Sequence, residues 1–504
     1  MASILTNTSA MVALQNLRTI NSNLVDTQNQ IATGKKIATA TDNSAIWAVS
    51  KVIESDVNAF TAISDSLNLG DSTIAVAREA AETVTDLLTQ LKGNIVAAQE
   101  ENVDRSKIQA DIDTQVEQIQ SIVSAASFNG LSLVEGTEDV TILGSLQRDS
   151  LGNVTSSEIS IARQDLTTQA GTLGTGGGLT DLSANVTATS ATLSSAAVRD
   201  DGAGTDADIV VTGDLSDGAV SFDIGGTIVS FASGELSATA ATAATEIASK
   251  INAAGIEGIS VDATTTPGTL EFSSTRAFGD TVITTSEAAT GSLTASVTLD
   301  ERAETFSFTG ANVDEGDGYR FAFGGVVATY VAGQNETIED VVRGLKLQID
   351  GNSDPDIATQ VVQNGNNWEL RIDNSDATNA TVTITANKDD NNNAVVTGGL
   401  AGLEGLNVTT NATAAAALEN IDTLINTAID GAASFGSDQS RIGLQADFIT
   451  KLTDSLKAGI GSLVDADLEA ASARLQALQV QQQLGIQSLS IANQAPQSIL
   501  ALFR

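Results

Sequence analysis

The chain has 504 residues, with 63 Asp or Glu against 24 Lys or Arg, no Cys and no His. That length allows roughly three or four domains of ordinary size. A formal net charge of −39 argues against nucleic-acid binding, because phosphate backbones are held mainly by Lys and Arg. Without Cys or His there are no disulfides, no thiolate nucleophile, and neither of the commonest soft metal ligands.

The acidity does not imply disorder, since 41% of residues are hydrophobic and mean hydropathy is slightly positive. Aromatics are only 3%, so the core must be built from Ala, Val, Ile and Leu. Residues 1–17 lack the basic start and continuous apolar run of a signal peptide, and no stretch approaches a membrane span of about 20 apolar residues. Taken alone, this predicts a cytoplasmic protein.

The order is helix, then strand, then helix. Leu14, Leu17, Ile20, Leu24 and Ile31 recur at helical spacing. Ile53, Val57, Phe60, Ile63 and Leu67 mark a second helical run, and Val84, Leu87, Leu88 and Leu91 a third. A fourth contains Ile108, Ile112, Val116, Ile119 and Val123, and ends near the turn signal Phe128-Asn129-Gly130. Strand-like text follows at Val140-Thr-Ile-Leu and Ile159-Ser-Ile-Ala. Residues 173–203, rich in Gly, Ser, Thr and Ala, predict a connector.

The middle carries an internal duplication. Val220-Ser-Phe-Asp-Ile-Gly-Gly-Thr-Ile-Val-Ser-Phe resembles Tyr319-Arg-Phe-Ala-Phe-Gly-Gly-Val-Val-Ala-Thr-Tyr, an offset of about 99 residues. Each copy continues into a short helix (244–253 and 338–349), two strands (258–263 and 269–273; 358–363 and 368–372) and a closing strand (281–285 and 380–386). Two related ββαββ-type units are predicted, with each Gly pair turning a hairpin. Between residues 151 and 400 there are 34 acidic against 10 basic residues, more than half of the total excess. A solvated outer surface is the expected reading.

Helical text returns at about Ala414. Leu418, Ile421, Ile425 and Ile429 open it, and Leu468, Ala471, Leu475, Leu478, Leu484, Leu489 and Ile491 form a seam with heptad-like steps. No charge occurs in residues 1–17, nor between Arg474 and Arg504. A solvated helix carries charge on its outer face, so both ends are expected to be buried from every side in an assembly.

Chemical sites are few. Asp200, Asp201, Asp206 and Asp208, and Asp314, Glu315 and Asp317, sit among glycines as hard-cation candidates, but neither run has calcium-loop spacing. No carboxylate pair stands out for acid–base catalysis, and Gly174-Thr-Gly-Gly-Gly lacks the Lys-Ser/Thr of a phosphate loop. The chain is expected not to be an enzyme, and to have no catalytic residue, cofactor or metal.

Three signals carry a family resemblance. Ile31-Ala-Thr-Gly-Lys-Lys-Ile-Ala-Thr-Ala-Thr-Asp-Asn-Ser-Ala resembles the "LSSG-R-I-N-A-DDAAG" stretch of bacterial flagellins. Ile108-Gln-Ala-Asp-Ile with Phe128-Asn-Gly resembles their IQ-EI and FNG signals, and Ile491-Ala-Asn-Gln-Ala-Pro-Gln-Ser-Ile-Leu-Ala-Leu-Phe-Arg their "AQANQ-PQ-VL-LL-R" terminus. The resemblance covers about residues 1–170 and 410–504, and Lys35-Lys36 and Asp42-Asn43-Ser44-Ala45-Ile46 resemble the alphaproteobacterial type.

It implies a secreted, extracellular subunit of the helical flagellar filament used for swimming, exported without a cleaved signal, which overturns the cytoplasmic expectation. The implied fold is multi-domain α+β: a long coiled-coil core from the paired termini, with β-rich outer domains. The implied divisions are a core helix (1–45), inner-tube helices with a β-hairpin (46–175), two outer repeat units (176–305 and 306–405), a return helix (406–464) and a C-terminal core helix (465–504). The assembly core is placed on Leu14, Leu17, Leu24, Ile31, Leu475, Leu478, Leu484, Leu489 and Ile491. Partners are further copies of the chain, with an export chaperone, cap and hook-junction proteins implied by the family, and neither nucleic acid nor membrane.

Many flagellins activate the innate receptor TLR5 through "LQRVRELAVQ", where this chain has Leu88-Thr-Gln-Leu-Lys-Gly-Asn-Ile-Val-Ala. Gln90, Lys92, Gly93 and Asn94 replace Arg, Arg, Glu and Leu, removing hot-spot chemistry, so weak or absent activation is expected. The alternatives are a hook–filament junction protein of the same family and an acidic extracellular adhesin.

Overall fold

A computed structural model of the chain describes residues 7–148, 153–175, 179–188, 192–194, 196, 208–294, 296–309, 312–352, 354–376, 378–389 and 394–502. It opens with three helices, α1 (Thr8–Thr33), α2 (Ser44–Ala98) and α3 (Arg105–Ala125). The second and third helical runs of the sequence are therefore one helix, α2. Their apolar stripes share a phase, and nothing between residues 67 and 84 breaks it, Gly70 included.

Strands β1 (Ser127–Phe128), β2 (Leu131–Ser132), β3 (Val140–Arg148) and β4 (Val154–Ile161) follow. Asn129 and Gly130 turn β1 into β2 at φ 52° and 81°, the left-handed pair that a tight hairpin requires.

The β-rich middle begins with β5 (Leu179–Asp181), β6 (Val186–Ala188), β7 (Thr192–Leu193), β8 (Asp208–Thr212), β9 (Val220–Ile224) and β10 (Thr227–Phe231). Helix α4 (Ala240–Ala253) leads to β11 (Ile259–Asp262), β12 (Thr269–Ser274), β13 (Thr281–Glu287), β14 (Ser292–Leu293) and β15 (Ser296–Leu299). The second copy comprises β16 (Glu304–Phe308), β17 (Asp317–Phe323), β18 (Val326–Val331), α5 (Ile338–Asp350), β19 (Ile357–Asn364), β20 (Asn367–Asn374), β21 (Ala380–Thr381) and β22 (Thr383–Asp389). Helices α6 (Asn411–Val464) and α7 (Leu468–Leu502) complete the chain.

The chain divides into two compact units. One comprises residues 1–72, 141–161 and 438–504; the other comprises residues 73–140 and 162–437.

In the first unit, α1 and α7 run antiparallel, with Asn7 Nδ2 donating to Ala492 O at 2.9 Å and Gln482 Nε2 to Asn21 Oδ1 at 2.7 Å. Asn7 also caps α1 by accepting from the Ala10 N–H, and Gly34 ends the helix at φ 69°. The β3–β4 hairpin belongs to the same unit. A Cβ at Gly70 would lie 2.2 Å from Ile142 Cδ1, so this glycine lets β3 pack directly on the α2 backbone. Arg148 donates to Asp56 at 2.6 Å, and Gln445 to the Gly144 carbonyl at 3.0 Å.

In the larger unit, each repeat folds as two four-stranded antiparallel sheets. The first has sheets β10-β9-β13-β15 and β11-β12-β8-β14; the second has β18-β17-β22-β5 and β19-β20-β16-β6. Gly225-Gly226 and Gly324-Gly325 make the same turn, with φ 56°/92° and 53°/91°. The first core gathers Phe222, Phe231, Ile247, Leu270 and Phe272; the second gathers Phe306, Phe308, Tyr319, Phe321 and Leu370. The scarce aromatics are thus concentrated where thin sheets need bulk, as in the edge-on pair Phe306–Phe321 with centroids 5.1 Å apart.

The fourth strands come from unexpected places. Strands β14 and β15 follow the first repeat, whereas β5 and β6, from the expected connector, complete the second repeat by pairing with β22 and β16. Strand β7 also joins the second repeat, through β21, and Leu193 is in its core. Residues 179–193, expected with the first repeat (176–305), thus pair with strands of the second. Open edges at β16 and β22 supply the pairing that these short segments cannot specify themselves.

Helix α5 has a complete capping box, with Thr337 and Asp340 each bonding the other's backbone N–H. Gly344 on α5 faces the Tyr330 ring, whose Cε2 would lie 2.1 Å from an added Cβ. Tyr330 Oη donates to Glu336 at 3.0 Å, and the Gly333 N–H to the same carboxylate at 3.0 Å. Burial pushes Glu336 up to about 7, aided by Asp340 and Asp165 and opposed by those two hydrogen bonds.

Gly344→Ala is expected to destabilise the larger unit by about 1–3 kcal/mol, although alanine is the better helix former; thermal denaturation measures it. A carboxyl whose folded pKa is raised favours folding fully below its unfolded pKa of 4.5, and that contribution is lost as pH rises through about 7. Glu336→Gln is therefore expected to be more stable than the parent above neutrality, by up to about 3 kcal/mol, and to match it only below about pH 4.5. Urea denaturation followed across that pH range checks the crossing.

Candidate functional site

The predicted assembly residues converge on α1 and α7. Leu478 is buried in the helical pair, and Leu17, Leu24, Ile31, Leu475 and Leu489 are half-buried. Leu14, Leu484 and Ile491 point outward instead, with 56% of Leu484 and 69% of Ile491 exposed. The predicted seam therefore supplies two faces: one closes the pair, and the other stays open. A Cβ at Gly485 would sit 3.1 Å from Leu17 Cδ1, so the small residue sets the approach of the helices.

The open face is larger than the sequence indicated. Met11, Val12, Val25, Val480 and Ile486 are also exposed. A groove of about 850 Å³ runs along the pair, lined by residues that include Val12, Ala13, Ile20, Leu484, Ile491 and Ala492. No lining residue is charged. A spacing of four on α6 also leaves Leu444 and Phe448 exposed on one face, a signal that was present in the sequence but not singled out.

The link between α1 and α2 is held by specific bonds. Lys36 N–H donates to Val464 O at 2.6 Å, and Ala466 N–H to Gly34 O at 3.0 Å. Asp42 accepts from the N–H groups of Thr39 at 2.8 Å and Ala38 at 2.9 Å. Those bonds, Thr39 first, hold its carboxyl below the usual carboxylate value. Asn43 Oδ1 then accepts from Ile46 N–H at 3.2 Å as α2 begins. Asp42 and Asn43 thus divide turn closure and helix capping between them.

The receptor-motif positions lie elsewhere, on α2 in the larger unit. Gln90 and Gly93 are exposed, Lys92 pairs with Asp422 at 2.5 Å, and Asn94 donates to Gln115 at 3.1 Å. Nothing lies within 4 Å of a Cβ placed at Gly93.

The acidic run at residues 314–317 is occupied by local bonding. Lys388 pairs with Asp314, Thr137 donates to Glu315, and Asp317 accepts from the Asp314 N–H at 3.0 Å. Asp200, Asp201 and Asp206 lie outside the described residues. Among the described residues no group of three acidic side chains is arranged to hold a metal ion, and no helix is long and apolar enough to cross a membrane. The groove presents apolar area from Val12, Ile20, Leu484 and Ile491 beside neutral Ser, Thr, Asn and Gln side chains.

Residues 4–139 match the bacterial flagellin N-terminal helical region, and residues 418–503 the C-terminal helical region. The chain is 30% identical over 515 residues to flagellin D of Rhizobium meliloti (strain 1021), covering all of both chains. It is 29% identical over 511 residues to flagellin A of Rhizobium meliloti, again over all of both. Among solved structures, FlgL of Xanthomonas campestris aligns with 81% of this chain and 99% of its own at 10% identity, with a TM-score of 0.28. The chain belongs to the bacterial flagellins of alphaproteobacterial type, the structural subunits of the extracellular flagellar filament.

Proposed function

We propose that the subunit polymerises through the uncharged outer face of the α1–α7 pair, which neighbouring copies cover in the filament core. The observation that carries this reading is the groove lined by Val12, Ile20, Leu484 and Ile491 without a charged residue. Burial of such area is worth about 25 cal/mol per Å², and an unpaired charge inside it is costly. A head-to-tail contact that does not close into a ring generates a helix.

In this reading residues 1–45 and 465–504 form the core, residues 46–175 and 406–464 the inner tube, and residues 176–305 and 306–405 the outer domains. Strands β5 and β6 argue for counting residues 179–193 with the second repeat. The acidic repeats face outward, where like charge keeps a crowded array soluble. An export chaperone, a cap and hook-junction proteins are the further partners, met before, during and at the base of assembly.

Negative-stain electron microscopy of seeded monomer tests the core. The intact chain is expected to form long filaments, and chains lacking residues 1–35 or 467–504 none. Leu484→Asp is expected to leave monomer stability within about 0.5 kcal/mol, because the side chain is exposed there. It is expected to raise the critical concentration by about 100-fold or more, through a charge buried at the contact. Filaments from a truncated chain would mean that the outer domains drive assembly.

Weak or absent TLR5 activation is the second expectation, because Gln90, Gly93 and Asn94 remove a charged fork and an apolar anchor. Reporter cells given purified monomer are expected to respond feebly, and the combined Gln90→Arg, Gly93→Glu and Asn94→Leu chain more strongly. A full response to the parent chain would defeat this reading.

A further inference from the structure

Helix α5 carries a lysine that its amphipathic pattern would not place inside. Lys346 is only 7% exposed and Asn420, on α6, only 4%. Lys346 Nζ lies 2.9 Å from Asn420 Oδ1 and 2.8 Å from Asp350 Oδ2. The same Oδ2 accepts from Asn420 Nδ2 at 2.8 Å. Thr359 holds the other carboxylate oxygen at 2.5 Å, and Glu419, largely exposed, approaches Lys346 at 3.3 Å from the solvent side. One buried carboxylate oxygen therefore bridges an amine and the nitrogen of the amide beside it.

We propose that this triad forms a spontaneous isopeptide bond between Lys346 and Asn420, which covalently ties the second β repeat to α6. Asp350, 2.8 Å from Nζ, takes a proton from the Lys346 ammonium. The Nζ lone pair attacks Asn420 Cγ, and the new C–N bond forms as the carbonyl π electrons shift to oxygen. Collapse of that intermediate breaks Cγ–Nδ2, and Asp350 delivers its proton to the departing nitrogen, which leaves as ammonia. The second amine proton passes to the freed Asp350 carboxylate, so an ammonium, a carboxylate and a primary amide become a secondary amide, a carboxylic acid and NH₃. No oxidant or co-reactant is consumed.

The surroundings suit this chemistry. Leu347 and Ala417, both buried, line a small cavity together with Asp350 and Asn420. Fixed alignment of nucleophile, amide and proton carrier is what lets such a slow reaction proceed without an enzyme. The chain has no Cys, so a disulfide cannot perform this tie.

Intact-mass spectrometry of the full chain, refolded and incubated as a monomer, tests the proposal without reference to filaments. The folded chain is expected to be lighter than its sequence mass by one ammonia, while a sample held in denaturant keeps the full mass. Peptide mapping is expected to find a branched peptide joining Lys346 to Asn420, with no tryptic cleavage after Lys346. Asp350→Asn, with its fold checked by circular dichroism, is expected to retain the ammonia. An unchanged mass after prolonged folded incubation would overturn the proposal. So would a succinimide at Asn420, which gives the same mass but leaves Lys346 cleavable.

Discussion

The antiparallel pairing of the chain's two ends is the contact on which the functional reading depends. It is held by few polar bonds, those of Asn7 with Ala492 and Gln482 with Asn21, and by an apolar seam centred on Leu478. Two helices alone cannot bury both faces of such sequences. Packing one face satisfies the pair and leaves Met11, Val12, Leu484, Ile486 and Ile491 in water. An isolated two-helix contact is weak on its own account, since helix stability comes mainly from packing an amphipathic face. The same residues that make the monomer incomplete are those that a neighbour can complete.

The larger unit solves a different problem with another vocabulary. Its repeats are thin sheets with few aromatics, and each concentrates its Phe residues between two sheets and one helix. Several charged groups in these interiors are held in bonded sets. Arg302 holds Asp373 in two parallel bonds at 2.7 and 2.6 Å, and Arg371 reaches both Glu301 and Glu369 at 3.1 Å. Such pairs fix geometry more than they add stability.

Much of this was legible in the sequence, for physical reasons that differ by element. The hairpins at Gly225-Gly226 and Gly324-Gly325 were visible because their turn demands positive φ and the flanking residues alternate. The helix at residues 338–349 was visible because its apolar spacing and capping residues agree. Strands β5, β6, β14 and β15 were not, because two to four residues are too few to show a period; their partners choose them. At the terminal pair, absence of charge marked the right segments. Spacing could not tell Leu478, inside the pair, from Leu484, outside it, because α7 is apolar on more than one face. The Lys346 triad was hidden for a third reason: its members lie 74 residues apart, and a lysine in a helix is ordinarily a solvated one.

The nesting of the repeats sets an order of completion. The first repeat finds all of its strands between residues 208 and 299, so its loops close locally. The second needs β5 and β6 from before that stretch and β16 to β22 from after it. Whichever end of an extended chain becomes free first, the second repeat must wait for both flanks while its inserted twin can already be finished. The loop it closes then contains a folded body rather than a slack coil, which brings the flanks closer and lowers the entropy of joining them. The duplication thus gives the chain a built-in sequence of events, in which the inner copy acts as a splint for the outer one.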